Sequence, residues 1–213
     1  MAPEAFELFG CRGCGSAAVE VALEWIAAPY VYRDAGEGAV VLDALRSLNP
    51  LLQMPTLRFP DGTVMTESLA IVLALDEVAP DAQLLPSAGT RERRIALRWM
   101  TFVATNIYAA IGVGDYPDRW VESGAARAEL DVGTRKRLYM YWEILEQALV
   151  PAPFLGGATM TMLDVYVATV SWWRPGRAWL ARHCPRIAAA CTRIDADPRV
   201  APVWERNFKR ATA

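Results

Sequence analysis

Apolar positions in the first eighty residues switch between two repeats, every second residue and every third or fourth. Phe6-Glu7-Leu8-Phe9 reads as a short strand closed by Gly10, and Val19, Ala22, Leu23 and Ile26 recur at helical spacing across 16–28. Residues 29–32 (Pro-Tyr-Val-Tyr) read as a second strand, bounded by Asp34-Ala35-Gly36, and 40–48 as a helix stopped by Asn49-Pro50. Two short apolar runs, 56–59 and 63–65, flank Pro60-Asp61-Gly62, a turn of the D-G type that predicts a hairpin. A further helix follows over about 67–78. The order is βαβ, helix, ββα, with the first two strands expected parallel and the hairpin antiparallel.

Beyond a Pro-, Ala- and Gly-containing linker at 80–89 the strand pattern stops. Helical spacing covers roughly 90–112, 122–149, 161–174, 185–195 and 198–211, and Thr161-Met162-Leu163-Asp164 opens the third stretch with a capping pattern. The expectation is an α/β domain at 1–79, the linker, and an all-helical domain at 90–213. The longest uncharged stretch, 99–114, is shorter than the roughly 20 residues a membrane span needs. It also carries Thr101, Thr105 and Asn106, and is expected to be a buried helix of a cytoplasmic protein. The first residues lack the basic start and apolar centre of a signal peptide.

Composition narrows the function classes. The chain is 54% hydrophobic with a mean hydropathy of +0.15, which calls for a large core or an apolar face against a second subunit. A net charge of −2 and a pI near 5.5 give no reason to expect nucleic acid or a membrane surface as a partner. His183 is the single histidine, so a multi-histidine zinc site and an H-E-x-x-H protease are excluded. Its setting is that of a helix-end residue. Four cysteines are too few for a disulfide scaffold, and Cys184 and Cys191, at helical spacing among alanines, are expected to be inert core thiols.

Chemistry concentrates in three short segments. Pro55 precedes an apolar run, where a trans proline would remove a ladder donor. A cis bond after Met54 costs only about 0.5–1 kcal/mol and leaves the Met54 backbone to pair with something outside the protein. Glu67-Ser68 stands where a helix begins, and helix starts attract anions. A peptide-like ligand with a free carboxylate fits both. The turn after the first strand reads Gly10-Cys11-Arg12-Gly13-Cys14-Gly15-Ser16, with the C-x-x-C redox spacing.

Taken together these features resemble the cytosolic glutathione S-transferase family over essentially the whole chain. The resemblance rests on the element order, Asn49-Pro50 with Gln53-Met54-Pro55-Thr56-Leu57, Asp61-Gly62, Glu67-Ser68, the linker, and Gly157 with Thr161-x-x-Asp164. Bacterial members are nearest in character, and no class is assigned. The resemblance implies a thioredoxin-like first domain binding glutathione as co-substrate, with no metal. Met54, before the cis Pro55, would pair with the cysteinyl unit, Glu67 with the α-ammonium, Ser68 with the α-carboxylate, and Gln53 with the glycyl end.

Family members activate the thiol with a Tyr, Ser or Cys in the first turn. This turn has no tyrosine, and Cys14, Ser16 and Cys11 are the alternatives. Lowering a thiol by about 2 units needs about 2.7 kcal/mol. One hydrogen bond to a charged group supplies about 1.5–3 and a helix start about 0.3–1, so Ser16, a backbone N–H and Arg12 suffice without an acid-base residue. The second substrate, a hydrophobic electrophile, is expected against Thr105, Asn106, Tyr108, Tyr116, Arg119 and Trp120 of the first long helix, with Trp173 opposite. The leading reading is a homodimeric glutathione transferase conjugating such an electrophile. The alternatives are a thiol transferase or disulfide reductase using Cys14, and a non-catalytic glutathione-binding scaffold.

Overall fold

A computed structural model describes residues 5–208. The chain opens with β1 (Phe6–Gly10), α1 (Ser16–Trp25), β2 (Tyr30–Asp34) and α2 (Ala39–Leu48), then β3 (Thr56–Arg58), β4 (Val64–Met65) and α3 (Ser68–Val78). The sheet order is β2-β1-β3-β4, with β1 parallel to β2 and the β3–β4 hairpin antiparallel, as the sequence order predicts, and β1 also pairs antiparallel with β3. Alternation in β1 sends Leu8 into the core, while α1 buries Ala17, Ala18, Val19, Val21, Ala22 and Leu23. Three alanines on that face let the helix lie close to the sheet, and α3 adds Ile71, Val72 and Leu75.

Contacts divide the chain into two compact units. One runs to Pro86 and takes in the chain again from Asp195; the other is Ser87–Ile194. The first unit therefore holds α10 (Ala201–Asn207), which the sequence pattern placed in the helical domain at 90–213. Its docking rests on Glu20 in the middle of α1, only 1% exposed. The Glu20 carboxylate accepts from Arg206 Nε at 3.0 Å, Asn207 Nδ2 at 2.8 Å, Arg12 Nη1 at 3.2 Å and the Tyr30 hydroxyl at 3.3 Å. The buried Trp204 donates to Asp195 at 2.8 Å. Helical period reports where a helix lies in sequence, but the carboxylate it must meet lies 186 residues away. Positions 209–211 of that sequence-predicted helix lie outside the described residues.

The second unit begins with α4 (Arg91–Phe102), continues through a wider π turn (Val103–Tyr108) into α5 (Ala109–Asp115), and then α6 (Gly124–Ala148). The stretch expected as a buried helix buries one stripe only, Trp99, Met100, Val103, Ile107 and Ile111, while Thr101 and Thr105 are exposed. α7 (Met162–Val170) is buried at every residue. It stops four residues short of the sequence expectation, giving way to tighter turns at Trp172 and Trp173, and Pro175 and Gly176 then separate it from α8 (Arg177–His183). α9 (Pro185–Asp195) begins on the Glu146 carboxylate, which accepts from the backbone N–H groups of Arg186 (3.1 Å) and Ile187 (2.9 Å). Cys184 and Cys191 are fully buried, and burial pushes the Cys184 thiol up to about 12. His183 ends α8, exposed, with its ring stacked on Trp179 at 4.4 Å.

The capping pattern read at Thr161 is present in full. Asp164, wholly buried, accepts from the backbone N–H of Thr161 at 2.9 Å and of Leu155 at 2.7 Å. Burial raises its pKa while these hydrogen bonds oppose the rise. Replacing Asp164 by Ala strands two donors in a dry site, so a loss of about 2–4 kcal/mol is expected in urea unfolding, with Asp164→Asn losing less. Equal losses for the two variants would show that the hydrogen bonds are not what holds this helix start.

Candidate functional site

The sheet register gathers the three chemistry-bearing segments at one end. Phe9 pairs with Thr56 and Leu57 with Met65, so the end of β1, the start of β3 and the end of β4 are neighbours. From that end emerge the 11–15 loop, the 49–55 loop and the first turn of α3.

The 11–15 loop is a tight turn, with Cys14 N–H donating to the Cys11 carbonyl at 3.2 Å and Gly13 at φ 79°. Cys14 Sγ accepts from the Cys11 backbone N–H at 3.3 Å and lies 3.2 Å from Ser16 Oγ. Donation from the Cys11 thiol lowers the Cys14 pKa to about 6; burial opposes this, and the Ser16 hydroxyl and backbone N–H groups add to it. The same thiol contact, with burial, drives Cys11 far up, so Cys14 carries the charge and Cys11 the proton. The structure thus brings the three sequence candidates, Cys11, Cys14 and Ser16, into one cluster.

Arg12 is engaged elsewhere. Its guanidinium sits 3.9 Å above the Tyr32 ring and pairs with Glu20 at 3.2 Å and Asp34 at 3.7 Å. Sequence reasoning passed over Tyr32 because it sought a tyrosine only in the turn. The β2 residue places its hydroxyl 3.2 Å from Ser16 Oγ. Burial pushes the Tyr32 pKa well up, so the phenol keeps its proton. The signal available was the period-two alternation of Tyr30, Tyr32 and Asp34 on one face of a strand parallel to β1. Gly10 makes the meeting possible: a Cβ there would lie 2.6 Å from the Tyr32 hydroxyl and collide with Ser16.

The Met54–Pro55 bond is cis, as the proline's position predicts. Among the described residues no group hydrogen-bonds to the Met54 backbone, although Met54 is half-buried. Buried Asn49 fixes this loop through three bonds. Its Nδ2 donates to the Gln53 carbonyl and to Thr56 Oγ1, both at 3.1 Å, and its Oδ1 accepts from Leu51 N–H at 3.1 Å. The Gln53 and Glu67 side chains are exposed, and Ser68 is buried as the first residue of α3. Glu67 stands at φ 62° and ψ 102°, a conformation that costs a non-glycine residue about 1–3 kcal/mol. Met54 presents an unbonded backbone, and Glu67 an exposed carboxylate on a strained backbone, at the same end of the sheet as Cys14.

The seven pocket candidates all lie in the helical unit. Thr105 Oγ1 donates to the Thr101 carbonyl at 2.8 Å and Asn106 Nδ2 to the Phe102 carbonyl at 3.2 Å, both within the π turn region. Tyr108 and Trp173 pack ring on ring at 4.9 Å, and Arg119 lies 4.2 Å over Tyr116. Tyr116 and Trp120 are exposed. An open cavity of about 460 Å³ in this unit is lined instead by other residues, among them Ile111, Leu138, Tyr139 and Arg174. Among the described residues no group of three His, Cys, Asp or Glu is placed to hold a metal ion, and no helix is long and apolar enough to cross a membrane.

A model of the glutathione S-transferase N-terminal domain matches residues 8–83. The uncharacterised GST-like protein YncG of Escherichia coli (strain K12) is 32% identical over 206 residues, which span 94% of this chain and 98% of YncG. Glutathione S-transferase GstA of Escherichia coli O157:H7 is 29% identical over 72% of this chain and 73% of its own. Among solved structures, a glutathione transferase homologue from Sulfitobacter with bound glutathione superposes at a TM-score of 0.81 with 22% identity, over 95% of this chain and 98% of that one. A glutathione transferase from Methylococcus capsulatus strain Bath superposes at 0.71 with 27% identity, over 94% and 98% of the two chains.

The thiol cluster sets a pH profile. Alkylation of Cys14 by iodoacetamide, followed residue by residue with mass spectrometry, is expected to rise through a midpoint near 6, with Cys11, Cys184 and Cys191 unreactive there. Because the folded pKa lies below the ordinary thiol value, the thiolate favours folding fully above that ordinary value. This contribution fades as the pH falls through about 6. A midpoint above 8 would show that Cys14 is an ordinary thiol.

Proposed function

Since the chain belongs to the glutathione S-transferase family, we propose that it binds glutathione at the end of its sheet and acts on it through Cys14 as a glutathione-dependent thiol transferase. Met54 supplies backbone N–H and C=O for the cysteinyl unit. Glu67 and Ser68 receive the ammonium and carboxylate of the γ-glutamyl end, and Gln53 meets the glycyl carboxylate. Family membership and the unbonded Met54 backbone support this placement.

The observation that carries the chemistry is the set of hydrogen bonds on Cys14 Sγ, from the Cys11 backbone N–H and beside the Ser16 hydroxyl, which favours the thiolate. A second thiolate beside it is disfavoured by like charge, whereas attack by Cys14 on a disulfide is not. Cys14 S⁻ attacks the glutathione sulfur of a mixed disulfide, forms Cys14–S–S–glutathione and expels the other thiolate. A second glutathione thiolate then attacks the adduct, leaving glutathione disulfide and the Cys14 thiolate. Across both steps, one mixed disulfide and one glutathione thiol give glutathione disulfide and the free thiol of the other partner, which takes up the proton that glutathione releases.

Conjugation to a hydrophobic electrophile is the second reading, favoured by the aromatic residues Tyr108, Trp173, Tyr116 and Trp120 of the helical unit. In that case the Ser16 hydroxyl donates to glutathione's own thiolate. Family membership also supports a homodimer in a cytoplasmic setting.

Glutathione at about a hundred times its dissociation constant is expected to stabilise the protein by about 2.7 kcal/mol, raising the melting temperature by about 5–10 °C. Disulfide reduction is expected to vanish in Cys14→Ala, with glutathione found covalently on Cys14 in wild type. No thermal shift with glutathione would remove both enzyme readings, and conjugation that survives Cys14→Ala would favour the second. Glu67→Gly relieves the backbone strain and is expected to raise unfolding stability by up to about 1 kcal/mol while weakening glutathione at least tenfold. Unchanged affinity would take Glu67 out of the site.

A further inference from the structure

Ser16 Oγ has one proton and three polar neighbours: Cys14 Sγ at 3.2 Å, the Tyr32 hydroxyl at 3.2 Å and the Cys11 carbonyl at 3.3 Å. The carbonyl only accepts. Tyr32 is half-buried and keeps its proton, and Ser16 Oγ lies within reach of its hydroxyl. With Tyr32 as the donor to Ser16, the Ser16 proton is left to Cys14 or to the Cys11 carbonyl. When Cys14 is charged, the charged acceptor takes it, because such bonds are about twice as strong as neutral ones.

We propose that Tyr32 is a positioning residue of the thiol site, donating to Ser16 and thereby committing the Ser16 proton to Cys14 Sγ. The proposal rests on the reading that Cys14 is the reacting sulfur. Two further features of the same locality support it. The Arg12 guanidinium over the Tyr32 ring, at 3.9 Å, draws charge from the phenol and makes it a better donor. Arg12 is itself held by Glu20 and Asp34, so the ring is clamped. Gly10 leaves the gap in which the two hydroxyls meet; any Cβ at that position would fill it.

The charged and titratable groups around this relay belong to four elements: Cys11 and Arg12 in the loop, Glu20 on α1, Asp34 at the end of β2, and Arg206 on α10, which reaches Glu20. None of these is altered by exchanging the Tyr32 hydroxyl for hydrogen. A hydrogen bond that strengthens its neighbour does so by roughly 10–30%, which predicts a small but directional effect.

The test measures the pH midpoint of Cys14 alkylation, without glutathione, in wild type, Tyr32→Phe, Ser16→Ala and the double variant. Tyr32→Phe is expected to raise the midpoint by about half a unit, lowering the alkylation rate at pH 5 about threefold. Ser16→Ala is expected to raise it by about 1–2 units. The double variant is expected to match Ser16→Ala alone, since Tyr32 acts only through Ser16. An unmoved midpoint in Tyr32→Phe, or shifts that add in the double variant, would overturn the relay. A tyrosine that merely packs gives one of those two results.

Placing 3-fluorotyrosine at position 32 keeps the shape and strengthens the donor. It is expected to move the midpoint down, and a rise or no change counts against the proposal even if Tyr32→Phe fails to fold. Because glutathione is absent throughout, failure of the relay leaves the glutathione reading standing. A missing glutathione adduct on Cys14 does the reverse.

Discussion

The first unit is organised around one buried carboxylate. Glu20 sits in the middle of α1 with almost no exposure, and four donors from three other segments converge on it. Removing one partner of such a buried pair commonly costs about 3–5 kcal/mol, because the remaining charge has no water to turn to. Its partners are therefore held in place by the cost of leaving. Arg206 and Asn207 fix α10 against α1, and Tyr30 fixes the start of β2. Arg12, pinned between Glu20 and Asp34, lies across the face of Tyr32. From there the chain of contacts runs to Ser16 and Cys14. The position of the Cys14 sulfur is thus tied, through Ser16, Tyr32 and Arg12, to a carboxylate that never touches it.

Much of this architecture could be read from the sequence because it is local. Apolar period, the D-G turn and the Thr161-x-x-Asp164 pattern each act over a few residues, and the structure has the strands, the parallel and antiparallel pairings and the capping box where those signals lie. Pro55 was legible for the same reason: a proline beside a strand admits few arrangements. Cys11, Cys14 and Ser16 lie within six residues, so their meeting needs only a turn.

The parts that were not legible depend on long-range placement. Tyr32 reaches Ser16 because Leu8 pairs with Tyr32 and not with a neighbour, and a slip of one residue would turn the ring to the other face. Nothing within β2 sets that register. The docking of α10 depends on a carboxylate far upstream. α8 was lost among Pro175, Gly176 and a charged segment too short to show a period. Arg12 stands in the same turn, but its partners Glu20 and Asp34 come from α1 and β2, which its place in the turn does not reveal.

The return of α10 to the first unit has a consequence for how the protein is made. A chain leaves the ribosome from its N-terminus, and domains ordinarily fold as they emerge. Here the sheet, α1 and the cysteine turn are synthesised early, but two donors for Glu20 arrive 186 and 187 residues later. Until then that carboxylate must keep its water, so α1 cannot settle fully against its neighbours. The helical unit, contiguous at Ser87–Ile194, can complete itself first. The first unit therefore cannot complete its packing around Glu20 until Arg206 and Asn207, on the far side of the helical unit in sequence, have been synthesised.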